Sequence, residues 1–480
     1  MAREKIGVVA IGAYIPYYYV ERDVIGKAWG TKGMKGKRSI ANSDEDSLTM
    51  SVEAARECLK YVERKTVTHH YNATTTSPYT EKSGATLIST ACDLPKDVLS
   101  IDFNSSLRSA ASALKLAFDT AAANAGANVL VTAADTRNAA PKSNEEQLFG
   151  DAAVAVAVGG EPVLEMIGFA SVDNEIHDFW RNDGEKTINT TEQRFAIDEG
   201  YMTSVPAAVK AAMKNAGVEA GDISKLCLNT PGMKEYLKAA KKCGISEDKI
   251  QDPLMTEVGN CGAAQSLLIL ACAMETAEAG DIIVMADYGT GANAFVFRVT
   301  EKIDAIRSNF VTKFFERRAP FNDYARFLSF RGQLVPKQGE PFKIPAAPSI
   351  TWREQNTYLK LYASTCTKCG CKTFPTSRVC YNCRSIDTFY EESRTEAHCK
   401  LFSFSIDRLA GRSDDPLVYQ CTANDDENIR FYMNMTDVEE SEVEIGMDLE
   451  FTFRKIHNLA NLPNYYWKFR PIRCKEGDKQ

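Results

Sequence analysis

The sequence predicts a layered α/β domain over residues 1–300, followed by a cysteine-bearing ribbon and a small all-β barrel. Three observations predict it. Strand and helix signals alternate through the first 300 residues. Two Cys-x-x-Cys pairs, Cys366/Cys369 and Cys380/Cys383, stand ten residues apart. After them come short β-type runs in quick succession.

In chain order, Ile6–Ile11 is an apolar strand ending at Gly12. Leu48–Tyr61 carries apolar residues at helical spacing. Asn128–Ala134 and Ala152–Val158 are short, continuous apolar runs of the kind found in fully buried strands. Met202–Ala216 and Cys261–Ala279 read as helices. Asp281–Ala286 and Ala294–Val299 read as strands joined through the turn Tyr288-Gly289-Thr290-Gly291. Each half of this region closes on strand signals after a glycine turn, which suggests an internal duplication. Asp323–Leu334 has helical periodicity, and Val335–Ser349 is a Pro- and Lys-rich connection. Lys400–Ile406, Leu417–Thr422, Ile429–Asn434 and Asp448–Arg454 are the barrel strands.

At 480 residues the chain exceeds one simple core, and roughly two to four domains are expected. Hydrophobic residues at 44% and charged residues at 25% are ordinary for a globular protein. A net charge of −7 argues against nucleic acid or an anionic membrane as partner. The apolar stretch Ser266–Met274 falls far short of the roughly 20 residues a membrane span needs. The first residues read as a strand, not a signal peptide. Most of the 14 cysteines are scattered singly, as expected of reduced thiols in a cytoplasmic protein.

Two Cys-x-x-Cys hairpins at this separation bring four thiolates around one metal ion. Cys366, Cys369, Cys380 and Cys383 are therefore the predicted ligands of a structural zinc, with no open position for substrate. Cys371 is a spare thiol beside the site, and Cys399 lies too far along to join it. The His69-His70 pair lacks ligand spacing and is assigned no metal.

Several motifs in order resemble archaeal and bacterial 3-hydroxy-3-methylglutaryl-CoA synthases, and are similar to ketoacyl synthase III. They are MAREKIGVVAIGAYIPYYYVERDVIGKAWG at the start, DEDSLTMSVEAA (44–55), AADTRNAAP (133–141), FGDAAVAVAVG (149–159), HDFWRNDG (177–184) and TEVGNCGAA (256–264). The tail resembles the zinc-ribbon/OB-fold proteins that accompany archaeal thiolases. The resemblance implies a five-layer αβαβα thiolase fold of two similar halves, a rubredoxin-like zinc ribbon and an OB-fold barrel. It divides the chain into 1–165 and 166–300 (the thiolase halves), 301–350 (a linker with a helix), 351–390 (the ribbon) and 391–480 (the OB-fold). It also implies a coenzyme A thioester as substrate, and a homodimer or a heteromer with a thiolase-like paralogue.

The resemblance places the family's catalytic cysteine five residues after a strand-closing aspartate. In Asp102-Phe-Asn-Ser-Ser-Leu107 that position is Leu107, with Ser106 one residue before. The family histidine falls at Asn229 in Asn229-Thr-Pro, and the family asparagine is kept as Asn260. The synthases' glutamate falls near Ser77, with Glu81 beyond it. Leucine cannot attack a thioester, and asparagine can donate to an oxyanion but cannot take a proton.

Three functions follow as alternatives. The first is aldol or retro-aldol chemistry on an acyl-CoA without acylation, with Asn229 and Asn260 as an oxyanion pair and Tyr201, Tyr288 or a carboxylate as base. The second is a catalytically silent subunit paired with an active paralogue. The third is Claisen-type acyl transfer through a displaced thiol, Cys261 or Cys227. His177 is a further candidate beside Trp180. Arg181, Arg194 and the Lys186 neighbourhood are candidates for the coenzyme A phosphates, and Gly289 and Gly291 for close backbone approach to the thioester.

Overall fold

The computed structural model describes residues 5–104, 106–337 and 345–473. Ser105 of the elbow run and residues 338–344 of the expected connection lie outside the described residues. The chain forms two units. One comprises Met1–Ala41, Asp46–Ser89 and Leu94–Tyr324, and the other Asn42–Glu45, Thr90–Asp93 and Ala325–Gln480. Residues 301–324, read from the sequence as the start of a linker, thus belong to the first unit.

The first unit holds β1 (Ile6–Tyr14), β2 (Val67–Ala73), β3 (Leu99–Phe103), β4 (Asn128–Asp135), β5 (Ala152–Gly160), β6 (Leu164–Asp173), β7 (Lys225–Leu228), β8 (Ile282–Tyr288) and β9 (Gly291–Val299). Their hydrogen-bonded order is β7-β8-β9-β6-β1-β5-β4-β2-β3. Only Gly7↔Glu165 and Val8↔Leu164 join β1 to β6, so the sheet consists of two wings. In the first wing β1 runs antiparallel to β5, β5 antiparallel to β4, and β4, β2 and β3 are parallel. In the second, β6 is antiparallel to β9, β9 antiparallel to β8, and β8 parallel to β7. The second wing repeats the first with one strand fewer, which is the duplication the sequence hinted at.

Five helices complete the layers: α1 (Ser47–Leu59), α2 (Ser109–Ala123), α3 (Met202–Ala216), α4 (Met233–Cys243) and α5 (Gln265–Met274). α1 starts where the Asp46 carboxylate accepts from the backbone N–H of Leu48 and Thr49, a capping box. It packs on β1, β4 and β5. α2 and α5 lie between the wings. Phe118 of α2 meets Phe295 and Phe297 of β9, and α5 touches β1 and β5 on one side and β7 and β8 on the other. α3 covers the far face of β6, β8 and β9, with α4 against it. The order is helix, sheet, helix, sheet, helix. The composition of α5 follows from this position: Leu267, Leu268, Ile269 and Leu270 are all fully buried, because a central helix has no solvent face. Likewise β5 is a run of Ala and Val because both its faces are covered.

The second unit contains β10 (Tyr362–Cys366), β11 (Lys372–Thr373) and β12 (Phe389–Ser393), paired β11-β10-β12. It continues into β13 (Cys399–Asp407), β14 (Val418–Asp425), β15 (Arg430–Met435), β16 (Asp448–Leu459) and β17 (Leu462–Pro471). These five close into a barrel, β13-β14-β15-β17-β16, the strand number of an OB-fold. Phe431, Phe451, Phe453, Trp467 and Phe469 fill it. The Trp467 indole N–H donates to the Leu359 carbonyl at 3.0 Å, which satisfies its one polar atom. Sequence reading found four of the five strands. It missed β17 because Pro463 and Asn464 look like a turn, although Tyr465, Trp467 and Phe469 alternate inward. The helix expected over 323–334 spans Tyr324–Phe330.

Candidate active site and cysteine cluster

The chain turns from β3 into α2 through Ser106, Leu107 and Arg108. The Asp102 carboxylate anchors the end of β3. It accepts from Asn72 Nδ2 at 2.9 Å, Ser83 Oγ at 2.8 Å and the Ala85 N–H at 2.9 Å. The Ser106 hydroxyl accepts from the Arg108 N–H at 3.3 Å, so it is spent on shaping the turn. Leu107 stands next, half-buried, at the helix entrance. It faces Gly289. A β-carbon on that glycine would lie 3.0 Å from Leu107 Cβ and 2.8 Å from the Arg108 nitrogen. Gly291 has φ +114° and would meet the Val172 carbonyl at 2.2 Å. At both glycines, then, the chain itself occupies the space a side chain would need.

Asn229 follows β7, which runs parallel to β8, and its N–H donates to the Ala286 carbonyl at 3.1 Å. Its Nδ2 donates to Asp287 Oδ1 at 3.0 Å, and its Oδ1 accepts from Asn260 Nδ2 at 3.4 Å. Asn260 Oδ1 in turn accepts the Gly262 N–H at 3.0 Å. The two asparagines singled out in the sequence therefore touch, although 31 residues separate them.

Two carboxylates that sequence reasoning passed over organise this floor. Asp287 is fully buried, and burial pushes its carboxyl up to about 7 against the opposing pull of Asn229, Ser266, the Tyr288 N–H and Arg108. Asp135 accepts from the Thr74 hydroxyl at 2.9 Å, the Thr75 N–H at 2.7 Å, the Thr76 hydroxyl at 3.0 Å and the Ala263 N–H at 2.8 Å. It ties the loop after β2 to the turn carrying Asn260. Nothing local distinguishes Asp287 in the sequence, and Asp135 stands within the 133–141 motif without a role assigned to it. Their partners lie up to 128 residues away.

Tyr201 and Tyr288 also meet, ring centroids 5.5 Å apart and edge to face. Tyr201 ends the single π-helical turn Ala196–Tyr201 that leads into α3. Neither hydroxyl makes a hydrogen bond of normal geometry among the described residues, though Thr230 lies by the first and Asp178 by the second. Burial pushes both phenols up, which suits neutral donors and opposes the role of base. Cys227 and Cys261 are fully buried, and burial raises both thiols. An attacking cysteine needs the opposite shift.

Ser77 donates its hydroxyl to the Tyr79 carbonyl at 2.9 Å and accepts from the Tyr79 N–H at 3.3 Å, and Glu81 is exposed. Arg181 is exposed and donates to the Thr75 carbonyl at 2.7 Å, which sets it beside the Asp135 loop. Arg194 pairs locally with Asp198 at 3.5 Å, Lys186 is exposed, and His177 is exposed beside Trp180. Arg108 is better embedded. Its guanidinium reaches Ser171, the Val172 carbonyl, Asn293 and Asp173.

In the second unit the Sγ atoms of Cys366, Cys369, Cys380 and Cys383 all lie within 4.8 Å of one another. Cys366 and Cys383 are 3.7 Å apart, and Cys369 and Cys380 3.6 Å. Metal–sulfur bonds of about 2.3 Å in a tetrahedron require sulfur–sulfur edges of about 3.8 Å, so the donor set fits. No described cysteine is in a disulfide. The Cys366 N–H donates to the Cys371 carbonyl, so Cys371 shapes the hairpin through its backbone.

A family model described as 3-oxoacyl-[acyl-carrier-protein (ACP)] synthase III C terminal matches residues 213–299. The hydroxymethylglutaryl-CoA synthase of Archaeoglobus fulgidus is 28% identical over 342 residues, covering 68% of this chain and 99% of the relative. That of Pyrococcus furiosus is 27% identical over 343 residues, covering 69% and 97%. Among solved structures, an HMG-CoA synthase complexed with CoA superposes with a TM-score of 0.63 at 20% identity, over 72% of this chain and 95% of that one. The 3-oxoacyl-[acyl-carrier-protein] synthase III of Aquifex aeolicus VF5 superposes with a TM-score of 0.54 at 22% identity, over 62% and 99%. Two repeated wings around a helical middle layer thus carry the thiolase-superfamily fold in its hydroxymethylglutaryl-CoA synthase and ketoacyl synthase III form.

Proposed function

We propose that the first unit binds a coenzyme A thioester and makes or breaks a carbon–carbon bond without forming an acyl-enzyme. The observation that carries this is the Leu107 elbow, which lacks a nucleophile, in a unit that keeps a touching Asn229–Asn260 amide pair. In the cleavage direction a base takes the 3-hydroxyl proton, the C2–C3 bond breaks, and its electrons pass into the thioester carbonyl. Amide N–H groups stabilise the resulting enolate oxygen. C2 then takes a proton. The Tyr201 and Tyr288 phenols serve as neutral donors, and Arg181 is the better placed of the two arginines for the coenzyme phosphates. We infer that the four cysteines hold a structural zinc, which when bound cross-links two hairpins and leaves no site for substrate. The cytoplasmic setting and a self or paralogous partner belong to the same reading.

The same two replacements favour a second reading, a silent subunit completed by an active paralogue. One experiment separates the readings. The purified chain is incubated with 3-hydroxy-3-methylglutaryl-CoA and then with acetyl-CoA, and followed by product analysis and intact mass. Cleavage with no mass shift supports the proposal. A stable acyl adduct overturns it. Inertness alone, with activity restored by a co-encoded paralogue, supports the silent subunit.

A further inference from the structure

Asp287 is a fully buried carboxyl placed behind the Asn229 amide. One oxygen accepts from Asn229 Nδ2 at 3.0 Å, and the other, Oδ2, has no hydrogen-bond partner among the described residues. An ionised carboxylate only accepts, whereas a protonated one also donates. An asparagine amide can turn over without changing its shape, exchanging its donor face for its acceptor face. In the observed arrangement Asn229 spends its Nδ2 on Asp287, and its Oδ1 takes the Asn260 N–H. Both asparagines are then occupied with each other and with the acid.

We propose that Asp287 is a positioning residue whose proton decides which way the Asn229 amide faces, and so whether Asn229 and Asn260 offer N–H groups to a thioester oxygen. This deepens, and rests on, the assignment of the asparagines as an oxyanion pair. With Asp287 ionised, the amide is held as observed and the pair is closed. With Asp287 protonated, its O–H donates to Asn229 Oδ1, the amide turns, and Nδ2 faces Asn260. The Asn260 N–H loses its acceptor and is released with it. No bond other than hydrogen bonds changes, and the single proton moves between solvent and Asp287.

The surroundings suit this role. From the elbow, Arg108 is the charged group that faces the acid. From α5 comes the Ser266 hydroxyl, from β8 the Tyr288 N–H, and from the end of β7 the Asn229 amide, all neutral. Across the ladder stands Asn293, also neutral. Burial outweighs these groups and brings the carboxyl up to about 7, where a physiological change in pH moves its proton.

The test uses the full chain. Infrared spectra are taken across a pH series from about 5 to about 9 around the ordinary carboxyl and neutral range. They are expected to show a protonated-carboxyl band that fades near neutral pH in the natural protein and is absent from Asp287→Asn. In [15N]asparagine-labelled protein, the side-chain amide signal missing from Asn229→Asp is expected to shift with that band, and to stay fixed at all pH values in Asp287→Asn. A static Asn229 signal, or a band unaffected by Asp287→Asn, overturns the proposal. Calorimetry with 3-hydroxy-3-methylglutaryl-CoA is expected to give several-fold tighter binding at about pH 6 than at about pH 8. Asp287→Asn, which has no titrating proton, is expected to bind equally at both. PH-dependent binding that persists in Asp287→Asn also overturns the proposal. A titrating amide in a protein that binds no thioester upholds the proton-linked amide and overturns the reading of the site instead.

Discussion

Gly289 and Leu107 press against each other so closely that a β-carbon on the glycine would lie 3.0 Å from the leucine Cβ. This contact joins the turn after β8 to the turn that leads into α2.

Gly289→Ala is expected to cost about 1–3 kcal/mol, because the new methyl also meets the Arg108 backbone nitrogen, which cannot step aside. Gly221→Ala, where the added carbon meets open space, is expected to be neutral or slightly stabilising. Urea unfolding of both variants checks the pair. Equal stability would remove the packing argument.

Leu107→Cys is expected to acylate only slowly with acetyl-CoA. The new thiol gains the N-terminal end of α2, but Asn229 cannot take its proton. Leu107→Cys combined with Asn229→His is expected to acylate faster by about 10²-fold or more. Intact mass against time measures both. Rapid acylation of the single variant would show that some other base serves the elbow.

His70 predicts the acid limb of stability. It is fully buried, with Nε2 on Thr132 Oγ1 at 2.9 Å and Nδ1 on Ser89 Oγ at 2.8 Å, and burial pushes its imidazole down to about 4. In the unfolded chain it titrates at about 6.5. The unfolded state therefore binds the proton first. The contribution of neutral His70 is complete above about pH 6.5 and is lost as pH falls toward about 4, by a few kcal/mol. His70→Gln is expected to flatten this window. Urea midpoints measured from about pH 7 down to about pH 4 check it.

The purified chain is expected to carry one zinc, measured by elemental analysis. Cys380→Ser is expected to abolish stoichiometric binding and to destabilise the second unit by several kcal/mol, since metal binding there contributes directly to folding. Retention of full metal by Cys380→Ser, or a protein that folds unchanged without metal, would refute the assignment.

Much of this was legible along the chain because it is local. The Cys366–Cys383 spacing and the all-apolar runs of β5 and α5 are each visible within a few residues. Periodicity reports burial, and burial on all sides leaves no polar stripe, so the buried strand and the central helix identify themselves. Long-range pairing is different. The sequence offered no role for Asp287, or for Asp135 within its 133–141 motif, because their roles exist only after β4, β7 and β8 bring residues 74–76, 229 and 260–263 together. The tyrosines proposed as bases were assigned from position alone, whereas their burial, which the fold decides, raises both phenols and opposes that role. Residue order thus determined the elements and their layers. Tertiary packing decided which side chains lose water and which carboxyl meets which amide, because solvation and hydrogen-bond geometry depend on neighbours distant in the chain.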